Sequence, residues 1–225
     1  MNIFIHTIFP EIFDSFLNTS LIKKAQEKWI LNIKTINIRD FCTNKHKQID
    51  DKIYGWWAGM LIKAKPIIDS IENTIKENKL TNFKIIFLSP SDNILNQEKC
   101  FNYSKQENII LLAGRYEWID FRVEKYFQEK YWNFKKLSIW QYVLMGWELP
   151  SMVFIEWITR LIPWVIKEKD SYIFDSYAVE ENMKNIEHPQ YTTPQEIYGY
   201  KVPDILISWH DAKIKEWRKD NSWKL

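Results

Sequence analysis

Glycine is scarce in this sequence. The 225-residue chain holds 5, where a usage of about 7% gives roughly 16. Few positions are therefore supplied with the residue that suits left-handed turns and close backbone approach. Cysteine is nearly absent too. Cys42 and Cys100 stand far apart with no CxxC spacing. That excludes a disulfide framework or a cysteine-rich zinc site and fits a reducing cytoplasm. No apolar run reaches the roughly 18 residues of a membrane span. The start, MNIFIHTIFPEIF, has no basic leader before its apolar residues and reads as a buried strand, not as a signal peptide. A net charge of +2 announces no polyanion binding, so any basic surface must come from uneven distribution of lysine and arginine.

What is abundant is tryptophan, with 12 residues. Two stand side by side in YGWWAGM, residues 54–60, between Gly55 and Gly59. The small residues ask for a tight turn. The two indoles bring large apolar bodies to the same place.

Apolar runs at 2–9, 30–38, 83–88, 107–114 and 137–145 read as strands. Helical spacing is expected over 11–28, 66–78, 95–105, 119–129 and 149–161, with a long polar loop over 39–60. Short buried strands alternating with helices predict an α/β fold on a mostly parallel sheet. Ligands of such sheets sit beyond the strands' C-terminal ends. Here those ends lead into SPSDN (89–93), GRYEW (114–118) and GWELP (146–150). After Pro163 the texture becomes charged. The expected organisation is a domain over 1–163, a linker or lid over 164–176, and a small domain over 177–225 ending in a basic helix.

A series of blocks carries a resemblance. RDFCTNKHKQIDDKIYG (39–55), AGML (58–61), FLSP (87–90), AGRYE (113–117), ELP (148–150), RLIP (160–163) and HPQYTTP (188–194) follow in order. Together they resemble the bacterial tRNA (guanine-37-N1)-methyltransferases of the TrmD type, in the SPOUT class. The resemblance runs from the first strand to about Arg218. It implies a SPOUT-type parallel sheet with a deep C-terminal trefoil knot and a small, mostly helical C-terminal domain, here shortened. It also implies a cytoplasmic homodimer that uses S-adenosylmethionine, with Mg²⁺ needed for activity, and a tRNA substrate carrying guanosine at position 37.

The same comparison bears on the tryptophans. Trp29, Trp56, Trp57, Trp118, Trp140, Trp147, Trp164 and Trp209 fall where the family has glycine. Trp217 matches a family tryptophan, and Trp132, Trp157 and Trp223 are left undecided. The simplest account is translational: a codon, UGA foremost, is glycine in the source and tryptophan in the sequence as written. Eight exchanges would raise glycine from 5 to 13, nearer the typical count. The alternative is a remodelled, non-catalytic RNA-binding paralogue. Overpacking eight closed sites at about 1–3 kcal/mol each would exceed a domain stability of about 5–15 kcal/mol, which weighs against it.

The resemblance assigns the cofactor loops to Phe87, Leu88, Ser89 and Pro90; to Gly114, Tyr116 and Glu117; and to Ile139, Trp140, Gln141, Tyr142, Val143, Leu144, Gly146, Trp147 and Pro150. Gln141 departs from the family's aspartate. Asp175, in Asp-Ser-Tyr, is the implied general base. Guanine N1 carries a proton at neutral pH, and a desolvated carboxylate can take it. Arg160 is the implied cation for the charge that develops on O6. Arg39, His46, Asp50, Tyr54, Gly59 and Ser176 are the implied RNA-contacting positions. By residue type alone, Asp175 reads as a solvated linker charge and Arg160 as a favourable helix C-terminal charge. His46 has no partner at metal-ligand spacing, and no metal-binding residues are expected.

Overall fold

The structure is a computed structural model that describes residues 1–55, 58–91, 93–115, 118–167, 176–177 and 185–224. Two units divide it, Met1–Ile166 and Lys167–Leu225. The first unit runs through β1 (Asn2–Thr7), α1 (Asp14–Leu17), α2 (Ser20–Glu27), β2 (Asn32–Asn37), β3 (Asp50–Lys52), β4 (Met60–Ile62) and α3 (Ala64–Glu77). It continues with β5 (Lys84–Leu88), α4 (Gln97–Ser104), β6 (Asn108–Leu112), β7 (Trp118–Ile119), α5 (Arg122–Tyr131), β8 (Phe134–Leu137) and α6 (Glu148–Arg160).

Five of these strands form one sheet in the order β2-β1-β6-β5-β8, and every neighbouring pair is parallel. Strand alternation divides the core between its two faces. Ile3, Ile5, Ile86, Leu88, Ile109 and Leu111 point to one side, where Cys100 of α4 and Phe154, Ile155 and Ile158 of α6 meet them. Phe4, Ile85, Phe87, Ile110 and Leu112 point to the other, against Ile67 and Ile71 of α3 and Val123 and Phe127 of α5. Helices on both faces explain why β6 is buried along its whole length.

Three expectations need correction. The last strand is Phe134–Leu137, not 137–145. Its ladder with β5 ends at Leu88↔Leu137, so the apolar run beyond has no strand to pair with and becomes a loop. The helix expected over 11–28 is broken into a 3-10 turn at Pro10–Phe13 and the short α1 and α2, with Ser20 at φ +50°. The polar segment 39–60 is not all loop. Asp50–Lys52 pairs antiparallel with Met60–Ile62, and β4 pairs parallel with β7.

In the second unit the described residues form two short ribbons and two helices. β9 (Asn185–Ile186) pairs with β12 (Trp223–Lys224), and β10 (Glu196–Ile197) with β11 (Tyr200–Lys201). α7 spans Asp204–Ile207 and α8 spans Asp211–Asp220. Trp217 of α8 lies edge-on to His188 at 5.9 Å.

Candidate functional site

The sheet order sets β5 between β6 and β8, so the segments leaving their C-terminal ends are neighbours. Three of the sequence-predicted loops converge there. Phe87, Leu88 and Ser89 are buried and Pro90 is half-buried. Ser89 donates its backbone N–H to Leu137 O at 2.9 Å. Its hydroxyl is buried without a hydrogen-bond partner among the described residues. A buried unsatisfied hydroxyl is uncommon and marks a place where a polar ligand atom would be welcome.

The second and third loops are bound to each other. Arg115 and Gly146 form an antiparallel bridge, and Trp147 donates its backbone N–H to Gly114 O at 3.1 Å. Arg115 Nε reaches Glu148 Oε2 at 3.1 Å and Oε1 at 3.3 Å. Thr7, at the end of β1, donates its hydroxyl to Glu148 Oε1 at 3.3 Å. Glu148 is 2% exposed, and its charge is matched by a guanidinium that also lies over the Phe9 ring. Gly146 is tightly enclosed: a Cβ there would fall 2.4 Å from Arg115 Nε and 2.5 Å from Glu148 Oε2. Arg115 and Glu148 are absent from the sequence-predicted set. The signal was present, since Arg115 follows an apolar strand and Glu148 opens an apolar helix, places where an unpaired charge is costly.

Beside Gly114 the space is filled. Phe87, Trp118 and Trp147 meet edge to face, with ring centroids 5.7 Å apart for Phe87–Trp118 and 6.4 Å for the other two pairs. A Cβ on Gly114 would lie 3.1 Å from Trp147 Cδ1. Trp147 is buried and Trp118 half-buried. An adenosine group therefore does not fit among these residues as written. Both obstructing indoles stand at positions where the resemblance implies glycine.

The rest of the third loop faces outward. Ile139 packs on the core and Leu144 is half-buried. Trp140, Gln141, Tyr142, Val143 and Met145 are exposed, Val143 by 80% and Met145 by 88%. Leu149 and Val153, one turn apart on α6, are exposed as well, while Pro150 is buried. Arg160 lies exposed in the last turn of α6. At 1.5 Å per residue that places it about 18 Å along the helix from Glu148. One turn before it, Trp157 is hydrogen-bonded to Gln97, at the end of the segment that leaves β5.

The positions expected to contact RNA lie on the 39–60 segment and in the second unit. Arg39 occupies a 3-10 turn, with Nη1 at 3.5 Å from Lys47 O. Asp50 is half-buried on β3, and His46, Tyr54 and Gly59 are exposed, Tyr54 by 96%. An open cleft of about 910 Å³ is lined in part by Lys52, Tyr54, Gly55, Lys63, Asp120 and Arg122. Arg122 holds the Asp120 carboxyl below the usual carboxylate range through a two-point hydrogen bond. β7 joins the two regions, since Trp118 belongs to the aromatic trio and Asp120 follows it into the cleft. In the second unit, Ser176 and Glu187 exchange hydrogen bonds, each backbone N–H donating to the other's side-chain oxygen at 3.1 Å. Asp175, Tyr116, Glu117, Trp56 and Trp57 lie outside the described residues.

Burial pushes the Cys100 thiol up to about 12, which makes it an inert core group. Among the described residues no three His, Cys, Asp or Glu side chains gather as a metal site. Among them, too, no helix is long and apolar enough to cross a membrane.

A family model described as tRNA (Guanine-1)-methyltransferase TrmD matches residues 1–224. The chain belongs to that family. Relatives named tRNA (guanine-N(1)-)-methyltransferase agree over nearly their full length. That of Clostridioides difficile is 39% identical over 225 residues, covering 100% of this chain and 94% of the relative. That of Clostridium perfringens is 41% identical over 222 residues, covering 99% and 88%. The Dictyoglomus turgidum protein is 38% identical over 224 residues, covering 100% and 86%. Membership in the TrmD family covers the strand-end loops, the 39–60 segment and the second unit alike.

Proposed function

We propose that this chain methylates N1 of guanosine 37 in tRNA, in the form that carries glycine at positions 29, 56, 57, 118, 140, 147, 164 and 209. The observation that carries this reading is the match over residues 1–224 to a family whose name specifies guanine N1. Three strand-end loops brought together around the buried hydroxyl of Ser89 support it. So does an obstruction made by two residues of one type, Trp118 and Trp147. With glycine at both positions, the space beside Phe87 and Gly114 is free for S-adenosylmethionine, the cofactor of this family.

In this reading Asp175 removes the N1 proton, so that the ring nitrogen has a free lone pair. Arg160 then stabilises the negative charge that spreads to O6. Arg39, His46, Asp50, Tyr54, Gly59 and Ser176 hold the RNA, with phosphate contacts supplying most of the affinity. The protein acts as a cytoplasmic homodimer with a knotted sheet, and Mg²⁺ supports its activity. One feature supports a dimer. Tyr142, Val143, Met145, Leu149 and Val153 leave an apolar face exposed even with glycine at position 140.

The second reading, a non-catalytic RNA-binding paralogue, is favoured by the aromatic trio itself. One experiment separates the two. The chain with glycine at the eight positions is incubated with S-adenosylmethionine and tRNA transcripts bearing guanosine or adenosine at 37, and the RNA is analysed by nucleoside mass spectrometry. 1-Methylguanosine confined to the guanosine-37 transcript, and lost with Asp175→Asn, is the expected result. No product from the glycine form overturns the reading.

A further inference from the structure

Backbone handedness singles out four of the tryptophans independently of any family pattern. Among the described residues, nine that are not glycine have φ in the left-handed region, and four of them are tryptophan: Trp29 at +58°, Trp132 at +54°, Trp164 at +74° and Trp209 at +58°. Tryptophan makes up only 12 of 225 residues. A left-handed backbone is strained for any residue with a Cβ, and bulky side chains are genuine outliers there. Chance does not place four of the ten described tryptophans in that region. The indoles concerned gain nothing from burial in return, being 89%, 78%, 78% and 93% exposed in the same order.

Trp132 is the position the sequence comparison leaves undecided. It ends α5 with φ +54° and ψ +25°, and its N–H closes the helix on Gln128 O at 3.1 Å. That left-handed helix end is where glycine is most favoured. Trp29 has the same setting after α2, where Ile30 N–H bonds back to Ala25 O. Trp157 is the opposite case. It lies inside α6, half-buried against the core, and its indole N–H is hydrogen-bonded to Gln97. Glycine there would empty a packed position and weaken the helix.

We infer that position 132 is a ninth glycine of the working protein, and that position 157 is a true tryptophan. This rests on the recoding part of the function reading but goes beyond it. Position 132 also discriminates where the cofactor loops cannot. A paralogue remodelled at its pocket accounts for indoles at 118 and 147. It gives no reason for an exposed indole on a helix cap at the other end of β8 from those loops.

The test is peptide mass spectrometry of the protein from its native source, covering positions 118, 132, 147 and 157. Glycine at 118, 132 and 147 with tryptophan at 157 is the expected pattern. Glycine at 118 and 147 with tryptophan at 132 overturns this inference and leaves the function reading standing. Tryptophan at all four overturns both. Glycine at 157 overturns its assignment as a true tryptophan. A second measurement stands apart from decoding: in the chain as written, Trp132→Gly should raise Tm by about 2–4 °C and Trp157→Gly should lower it. A fall in Tm for Trp132→Gly removes the structural basis of the inference.

Discussion

Arg115 and Glu148 lie 33 residues apart in sequence and 3.1 Å apart in space. Their contact is the side-chain link between the turn that follows β6 and the loop that follows β8. Glu148 is almost wholly buried, so removing its partner strands a charge. Arg115 keeps some solvent, which softens the cost of losing Glu148. Arg115→Ala is therefore expected to destabilise the protein more than Glu148→Gln, by about 2–3 kcal/mol against about 1–2 kcal/mol. Urea denaturation of the two variants measures the difference, and equal midpoints would contradict the asymmetry drawn from burial.

The aromatic trio makes a prediction about binding. The chain as written should show no calorimetric response to S-adenosylhomocysteine. Trp118→Gly combined with Trp140→Gly and Trp147→Gly should bind it. Binding by the unaltered chain would show that the indoles move aside.

His6 gives a pH dependence. It is fully buried between Ser70 Oγ at 3.0 Å and Thr74 Oγ1 at 3.3 Å, and burial lowers its pKa to about 3. The unfolded chain takes up a proton near 6.5, whereas the folded chain resists until about 3. Stability from this site is thus full above pH 6.5 and is lost as pH falls toward 3, by up to about 1.4 kcal/mol per pH unit. Chemical denaturation between pH 7 and 4.5 should show this slope, and His6→Gln should flatten it.

The exposed apolar face predicts assembly. Leu149→Glu with Val153→Lys should convert a dimer into a monomer in analytical ultracentrifugation, with the far-ultraviolet spectrum unchanged. An unaltered sedimentation coefficient would place the interface elsewhere.

The parallel sheet was legible because its strands are continuous apolar runs, and β6 is the clearest of them. The fifth strand was misplaced for a specific reason. Residues 138–145 are as apolar as a strand, yet β5 ends at Leu88 and offers them no further ladder. What marks Val143 and Met145 as surface is the absence of a neighbour, which periodicity does not encode. The three strand-end loops were legible as turn residues following apolar runs. The Arg115–Glu148 contact was not, because it joins a turn to the start of a helix, and their closeness depends on sheet order. The energetic argument about tryptophan also shifts. Trp29, Trp164 and Trp209 are exposed and overpack nothing, so their cost is backbone strain. Trp147, which is buried, packs edge to face with its neighbours.

That packing has a practical side. Phe87, Trp118 and Trp147 form a well-made plug, so a laboratory host that reads the questioned codon as tryptophan should still yield folded, well-behaved protein. Purity, a cooperative melt and a good spectrum would then accompany a sealed pocket. If the codon is glycine in the source, as proposed, the choice of expression host becomes part of the biochemistry, and an inactive preparation reports on the ribosome that made it before it reports on the gene.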